Sequence, residues 1–182
     1  MRLRIGVSMP EHGGRTAIVA AEVFERRGTG GVLEHSFLVG HVDRVAPGTV
    51  EAARDRAAGA MTAVLKEKPC CIVDVSTPQG TALWRSLRGA WPKSAHGPHP
   101  YGGPGYTRAV LFASFLQAYA SGKVRFRDGL AYRADLDRAL VFYMGQGVKK
   151  EGVELSSEDE AMVVALGLAL YWPRHGAAAV VG

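Results

Sequence analysis

The sequence predicts an α/β domain: three antiparallel strands followed by parallel strands in one mixed sheet, flanked by helices. Three observations carry that expectation. Residues 2–41 alternate β-rich runs with Gly-rich turns, the pattern of an antiparallel meander. CCIVDVS, Cys70–Ser76, is a near-continuous apolar run broken by Asp74, as in a strand buried on both faces. Beyond it, helical spacing and short β runs alternate up to a strongly apolar closing helix.

In order, RLRIGVS (Arg2–Ser8) is the first strand and EHGGR a turn. TAIVAAEVFERR (Thr16–Arg27) is the second strand, although its Ala-rich start also suits a helix. GTGG turns the chain into VLEHSFLVGH (Val32–His41), the third strand. Pro47 and Thr49 start a helix with the stripe Val50, Ala53, Ala57, Ala60, Met61 and Val64, stopped by KEKP. After the strand at Cys70–Ser76, TPQG leads into a helix with Leu83, Trp84 and Leu87 apolar and Arg85 and Arg88 polar. Residues 92–106, PKSAHGPHPYGGPGY, form a long Gly/Pro-rich loop with a short strand near Ser94–His96. A helix over Thr107–Ala120, a strand over Lys123–Arg127 and a helix over Tyr132–Met144 follow. SSEDEAMVVALGLALYW, Ser156–Trp172, closes the chain as a buried helix. Residues 1–182 are expected to form a single domain, with no internal repeat.

A formal charge of +5 and a pI near 9.4 favour a polyanionic partner without establishing one. The two cysteines are the adjacent Cys70 and Cys71, which point to opposite faces of a strand, so a disulfide framework is not expected and a reducing compartment is. MRLRIGVSMP lacks an apolar signal core, and Ala161–Trp172 falls short of the roughly 20 residues a bilayer span needs. The expectation is a soluble, cytoplasmic protein with no membrane association.

Two groups of acids stand out. Asp74 is a carboxylate in a core strand, which needs a partner, a proton or a metal; it could equally cap the turn at VSTPQG. Glu158, Asp159 and Glu160 precede the apolar helix. They read as helix-dipole partners behind a Ser156 or Ser157 cap, with Ser157 and Glu160 spaced as a capping box. If the closing helix packs on the sheet through Val163, Val164, Leu166 and Leu170, Asp159 or Glu160 could share a site with Asp74. Carboxylates brought together in that way call for a hard cation, Mg²⁺ or Mn²⁺.

The strand order suits a ribonuclease-H-like architecture, and the chain resembles the nuclease domain of bacteriophage large terminase subunits. RIGVSMPEHGGRTAIVA, CCIVDVSTPQG, RAVLFASFLQAYASGKVRFR and SSEDEAMVVALGLALYW carry the resemblance. It implies a metal-dependent endonuclease acting on double-stranded DNA through two divalent ions, with Asp74, Asp159 and Glu160 as ligands. The family's first strand ends in an aspartate that anchors both ions; Ser8 stands there, which argues against a complete centre. Glu11, three residues on, is a candidate substitute, and Glu22 a weaker one. No GxxxxGK[ST] occurs, so a packaging ATPase or portal would be a separately encoded partner. Arg85, Arg88, Lys93, Arg108, Lys123, Arg125, Arg127, Lys149 and Lys150 could neutralise DNA phosphates if they share one rim; scattered solvated faces are the alternative. Two other functions remain open. One is a catalytically weakened relative that binds DNA or a protein; the other is a RuvC-like junction resolvase, which a dimer and a preference for branched DNA would favour. His96 and His99 lack further ligands nearby, and His12 is explained by its loop. Trp84, Trp91, Tyr171 and Trp172 read as core residues.

Overall fold

Backbone pairing resolves the ambiguity left by the Ala-rich second strand. In the computed structural model, which describes residues 2–10, 14–28, 31, 33–46, 49–62, 70–96, 115–144 and 156–170, it lies between two partners. The strands are β1 (Arg2–Ser8), β2 (Thr16–Arg27), β3 (Leu33–Val45), β4 (Cys70–Val73), β5 (Ala95–His96) and β6 (Val124–Phe126). The helices are α1 (Val50–Thr62), α2 (Pro78–Ala90), α3 (Arg133–Met144) and α4 (Ser157–Leu170). Residues 115–120 are helical too; the start of the expected Thr107–Ala120 helix lies outside the described residues.

One six-stranded sheet has the order β5-β4-β1-β2-β3-β6. β1, β2 and β3 pair antiparallel, whereas β4 joins β1, β5 joins β4 and β6 joins β3 in parallel. That is the mixed sheet expected, including the short strand at residues 95–96. β2 is covered on both faces. Ala17, Val19, Ala21 and Val23 join one apolar layer with α3, α4 and Phe115, while Ile18 and Ala20 join a second with α1 and α2. Two-sided burial removes the polar alternation that would have marked β2 as a strand.

β3 runs four residues beyond the expected His41. Ala20 pairs with His41 and Ala21 with Val39, so Gly40 is the extra residue of a bulge. The bulge switches the alternation: Phe37 and Val39 face the α4 layer before it, and Val42 after it. A period-2 reading of the sequence loses the strand there.

α4 is apolar on every side because it is enclosed on every side. Residues 161–170 are all buried between the sheet and the layer of α3 and Phe115. Each fully buried Leu or Val there contributes about 1.5–3 kcal/mol, which makes this helix the centre of the larger core. Its approach to the sheet is close: a Cβ on Gly6 would lie 1.9 Å from the Ala165 carbonyl oxygen. Glycine in β1 and alanines at 161, 165 and 169 let the helix backbone rest on the strand.

Cys70 and Cys71 are free thiols, as the strand geometry predicts. Burial, with a smaller contribution from Cys70, pushes the Cys71 thiol far above its ordinary range. A thiol reagent such as dithionitrobenzoate is therefore expected to modify at most Cys70 in the native protein, and both cysteines after unfolding. Two fast-reacting thiols in the native state would contradict the packing of β4.

Candidate functional site at the strand ends

β1 and β4 run parallel and stop at the same end of the sheet. Gly6 faces α4, so Ser8 faces it too; the register Gly6↔Ile72 puts Ile72 and then Asp74 on that same side. Asp74 follows the last residue of β4, and its N–H still donates to the Val7 carbonyl at 2.8 Å. The residue is buried, 2 % exposed. Ser8 Oγ donates to Asp74 Oδ2 at 3.2 Å, and the Ser76 N–H donates to Asp74 Oδ1 at 3.0 Å. Asp74 is thus both the buried strand-end acid and the cap of its own turn.

The turn is braced from α2. Thr77 is the N-cap, its Oγ1 accepting from the Gly80 N–H at 3.0 Å, with Pro78 following at the first helical position. Thr77 Oγ1 also donates to the Met9 carbonyl at 3.4 Å, joining this turn to the exit of β1. A Cβ on Gly80 would come within 2.0 Å of the Asp74 carbonyl oxygen, so the first turn of α2 rests directly on Asp74.

The N-terminus of α4 arrives at this same end. Gly14, just before β2, lies against Glu158 and Ser157, and Glu158 Oε1 accepts from the Arg15 N–H at 3.1 Å. The cap is Ser156, whose Oγ accepts from the Asp159 N–H at 3.1 Å; the expected Ser157–Glu160 spacing is displaced by one residue. Asp159 is engaged by Arg44, near the end of β3, through Nη2 to Oδ1. Arg44 Nη1 also lies 3.5 Å from Glu158 Oε2, and Nη2 lies 3.9 Å from Asp135 Oδ2 on α3. Glu160, about 100° further round the helix, is half-buried.

The structure brings Ser8 and Asp74 into contact and carries the α4 acids to the same end of the sheet. Among the described residues, no group of three or more His, Cys, Asp or Glu is placed to hold a metal ion. The described donors do not fit a two-ion centre. A two-ion centre calls for several free carboxylates, but Ser8 presents a neutral hydroxyl to Asp74 and Asp159 is paired with the Arg44 guanidinium. Glu11 and His12 lie outside the described residues. Glu22 sits opposite Leu3, near the start of β1, and pairs with Arg127 at 3.3 Å.

The described basic residues divide between two edges of the sheet. Arg85 and Arg88 are exposed on α2, which packs on β4 and β5, and Lys93 is exposed in the turn before β5. Lys123 and Arg125 are exposed at β6, the opposite sheet edge, about five strand spacings or roughly 24 Å away. Arg108, Lys149, Lys150 and His99 lie outside the described residues. Trp84 and Trp91 are half-buried against the second apolar layer, as expected of core residues, and Arg88 stacks over Trp84 at 5.2 Å. Tyr171 and Trp172 lie outside the described residues.

Arg44 is the residue that sequence reading missed. The available signal was an acid–base pair, Asp43 and Arg44, set between Val42 and Val45, and the bulge at Gly40 concealed that this stretch continues the strand.

No protein-family model and no curated protein matches the chain. Among solved structures, it is similar to the human cytomegalovirus terminase nuclease domain soaked with Mn, at 16 % identity, 94 % of this chain, 84 % of that chain and a TM-score of 0.51. A second structure of that viral domain matches at 12 % identity, 92 % and 83 % coverage and a TM-score of 0.47. T. thermophilus RuvC in complex with a Holliday junction substrate matches at 15 % identity, 94 % coverage of both chains and a TM-score of 0.32. Only the first of these reaches a likeness that bears on the fold. Together with the strand order it gives the chain a ribonuclease-H-like α/β fold, and it carries the fold alone. No described helix is long and apolar enough to cross a membrane.

Proposed function

We propose that this chain is a ribonuclease-H-like domain that binds double-stranded DNA and whose two-ion hydrolytic centre is weakened. The observation that carries this reading is the hydrogen bond from Ser8 to Asp74 at the paired ends of β1 and β4. In the terminase resemblance, an aspartate at Ser8 would join Asp74 in anchoring the ions. Here the neutral hydroxyl satisfies one oxygen of Asp74 within the protein. The positive net charge and the resemblance support DNA as the partner, with a packaging ATPase or portal as a possible protein partner.

Contact with DNA would come from the exposed Arg85, Arg88 and Lys93 on one side and from Lys123 and Arg125 on the other. Arg108, Lys149 and Lys150 extend this proposal by sequence. Such contacts release counterions, so affinity for a duplex is expected to fall steeply as salt rises. Substituting Arg85 and Arg88 together by alanine should make that salt dependence shallower, by about one unit of slope for each phosphate that is no longer neutralised.

A second reading keeps the nuclease active, with Asp74, Asp159, Glu160 and Glu11 around Mg²⁺ or Mn²⁺. It is favoured by the shared sheet end of Asp74 and the α4 acids. Incubation of supercoiled plasmid with wild type and Asp74→Asn in Mg²⁺ and in Mn²⁺ decides between the two. The weakened-centre reading expects duplex binding with no cleavage above the level of Asp74→Asn. Metal-dependent nicking by wild type that disappears in Asp74→Asn would overturn it in favour of the active nuclease. A preference for four-way junctions over linear duplex would instead favour a resolvase.

A further inference from the structure

The acids of this chain are unevenly placed. Residues 75–127 contain no Asp or Glu, although Asp74 and Asp128 stand at the two ends of that span. Its described part falls at both edges of the sheet: α2, the turn after it and β5 at one, β6 at the other.

At the first edge the cations are open. Arg85 and Arg88, three positions apart, are neighbours on the exposed side of α2. The Trp91 carbonyl accepts from the Ser94 and Ala95 N–H groups at 3.1 and 2.9 Å, a tight turn that sets the exposed Lys93 just beyond the end of α2. Among the described residues, no carboxylate pairs with any of the three. By contrast, Arg44, Arg54, Arg56, Arg127, Arg133 and Arg138 are each held by an acid. The β6 edge is mixed: Arg127 pairs with Glu22 at 3.3 Å and Asp128 follows it directly, so acids there compete with a phosphate for the cations.

Arg88 is also held in place. Trp84 lies one helical turn before it, half-buried against the second apolar layer, and the guanidinium stacks over its ring at 5.2 Å. Stacking leaves the N–H donors around the guanidinium edge free for phosphate oxygens. It also lowers the rotamer freedom that Arg88 would lose on binding.

We propose that the α2–β5 edge is the main contact for a DNA duplex backbone, with Arg85, Arg88 and Lys93 on the phosphates and Trp84 as the positioning residue that holds Arg88 for them. This deepens the DNA-binding reading and rests on it; the β6 edge then contributes the smaller share. Contacts to phosphate carry no base information, so the binding is independent of sequence.

The test is fluorescence anisotropy of a short labelled DNA duplex over a range of KCl concentrations, with folding of each variant checked by thermal unfolding. Arg85→Ala with Arg88→Ala should weaken binding roughly tenfold or more and reduce the salt slope by about two. Lys123→Ala with Arg125→Ala should weaken it by no more than about threefold. Arg54→Ala with Arg138→Ala removes the same charge from paired positions and should change affinity by less than about twofold. Trp84→Leu should weaken binding roughly two- to fivefold at the wild-type salt slope, because the Arg88 charge remains. In an Arg88→Ala background the same change should cost nothing more, and Trp84→Phe should bind nearly as wild type. If Trp84→Leu does not fold, Trp84→Met takes its place. A loss from the β6 pair or from the Arg54 and Arg138 pair as large as that from Arg85 and Arg88 would overturn the proposal. A Trp84 effect that persists without Arg88 would overturn the positioning role. Folded wild type that binds no duplex at low salt would end the DNA-binding reading together with this proposal, whereas binding carried by β6 would end the proposal alone.

Discussion

Gly6→Ala is expected to lower stability by about 3 kcal/mol or more, the upper range for overpacking a core, because nothing near the new methyl can give way. The added Cβ would sit 1.9 Å from the Ala165 carbonyl oxygen and 2.7 Å from the Ala169 backbone nitrogen. Both atoms belong to the hydrogen-bonded backbone of α4, which cannot change rotamer to make room. The whole helix would have to lift from β1, and with it the packing of Met162, Leu166 and Leu170. For a chain of this size the expected fall in Tm is roughly 6–12 °C. Gly59→Ala is the control. Gly59 lies inside α1 with nothing within 4 Å of a new Cβ, so the change should raise stability by roughly 0.5–1 kcal/mol through helix propensity. Equal Tm values for wild type and Gly6→Ala would show that α4 does not lie on β1 as described.

Ser8→Asp should have a comparable effect of a different kind. Ser8 is 3 % exposed and its hydroxyl is 3.2 Å from Asp74 Oδ2. An aspartate would remove a donor and place a second carboxylate beside the first in a buried space. An uncompensated buried charge of this kind costs about 3–5 kcal/mol. In EDTA the variant is expected to melt well below wild type, and Mn²⁺ should restore part of the loss because two adjacent carboxylates attract a hard cation. Ser8→Asn separates charge from shape: it should be milder and insensitive to metal. A Ser8→Asp protein as stable as wild type in EDTA would argue against the buried Ser8–Asp74 contact. One that is destabilised and indifferent to Mn²⁺ would argue against any descent of this strand end from a metal centre.

Most of the fold could be read in advance, and particular residues show why. The meander was legible because Gly-rich turns punctuate it, and α2 because Thr77, Pro78 and Gly80 form a local start signal. α4 was legible because ten consecutive buried residues leave no polar interruption. The end of β3 was not, since the bulge at Gly40 changes which side chains face the core. The site was legible one residue at a time. Asp74 stood out as a charge in an apolar strand, and Ser8 by departing from the resemblance. The pairing of Ser8 with Asp74 was not visible, because residues 66 positions apart in sequence meet only through the parallel register of β1 and β4.

By itself, then, the sequence determined most of the segments that become strands and helices, β2 and the end of β3 excepted, because periodicity, turn residues and caps act over a few neighbours. It also determined that an acid at 74 must find a partner. Tertiary structure alone decided which partner. Sheet register gave Asp74 the Ser8 hydroxyl, and the bulged end of β3 brought Arg44 to Asp159, 115 positions away. The basic residues illustrate the same division. Their number was plain in the sequence, but only the strand order shows that the described ones divide between the β5 side and the β6 edge. Hydrogen bonds and ion pairs depend on distances between elements, and those distances are set when the sheet and its helices pack.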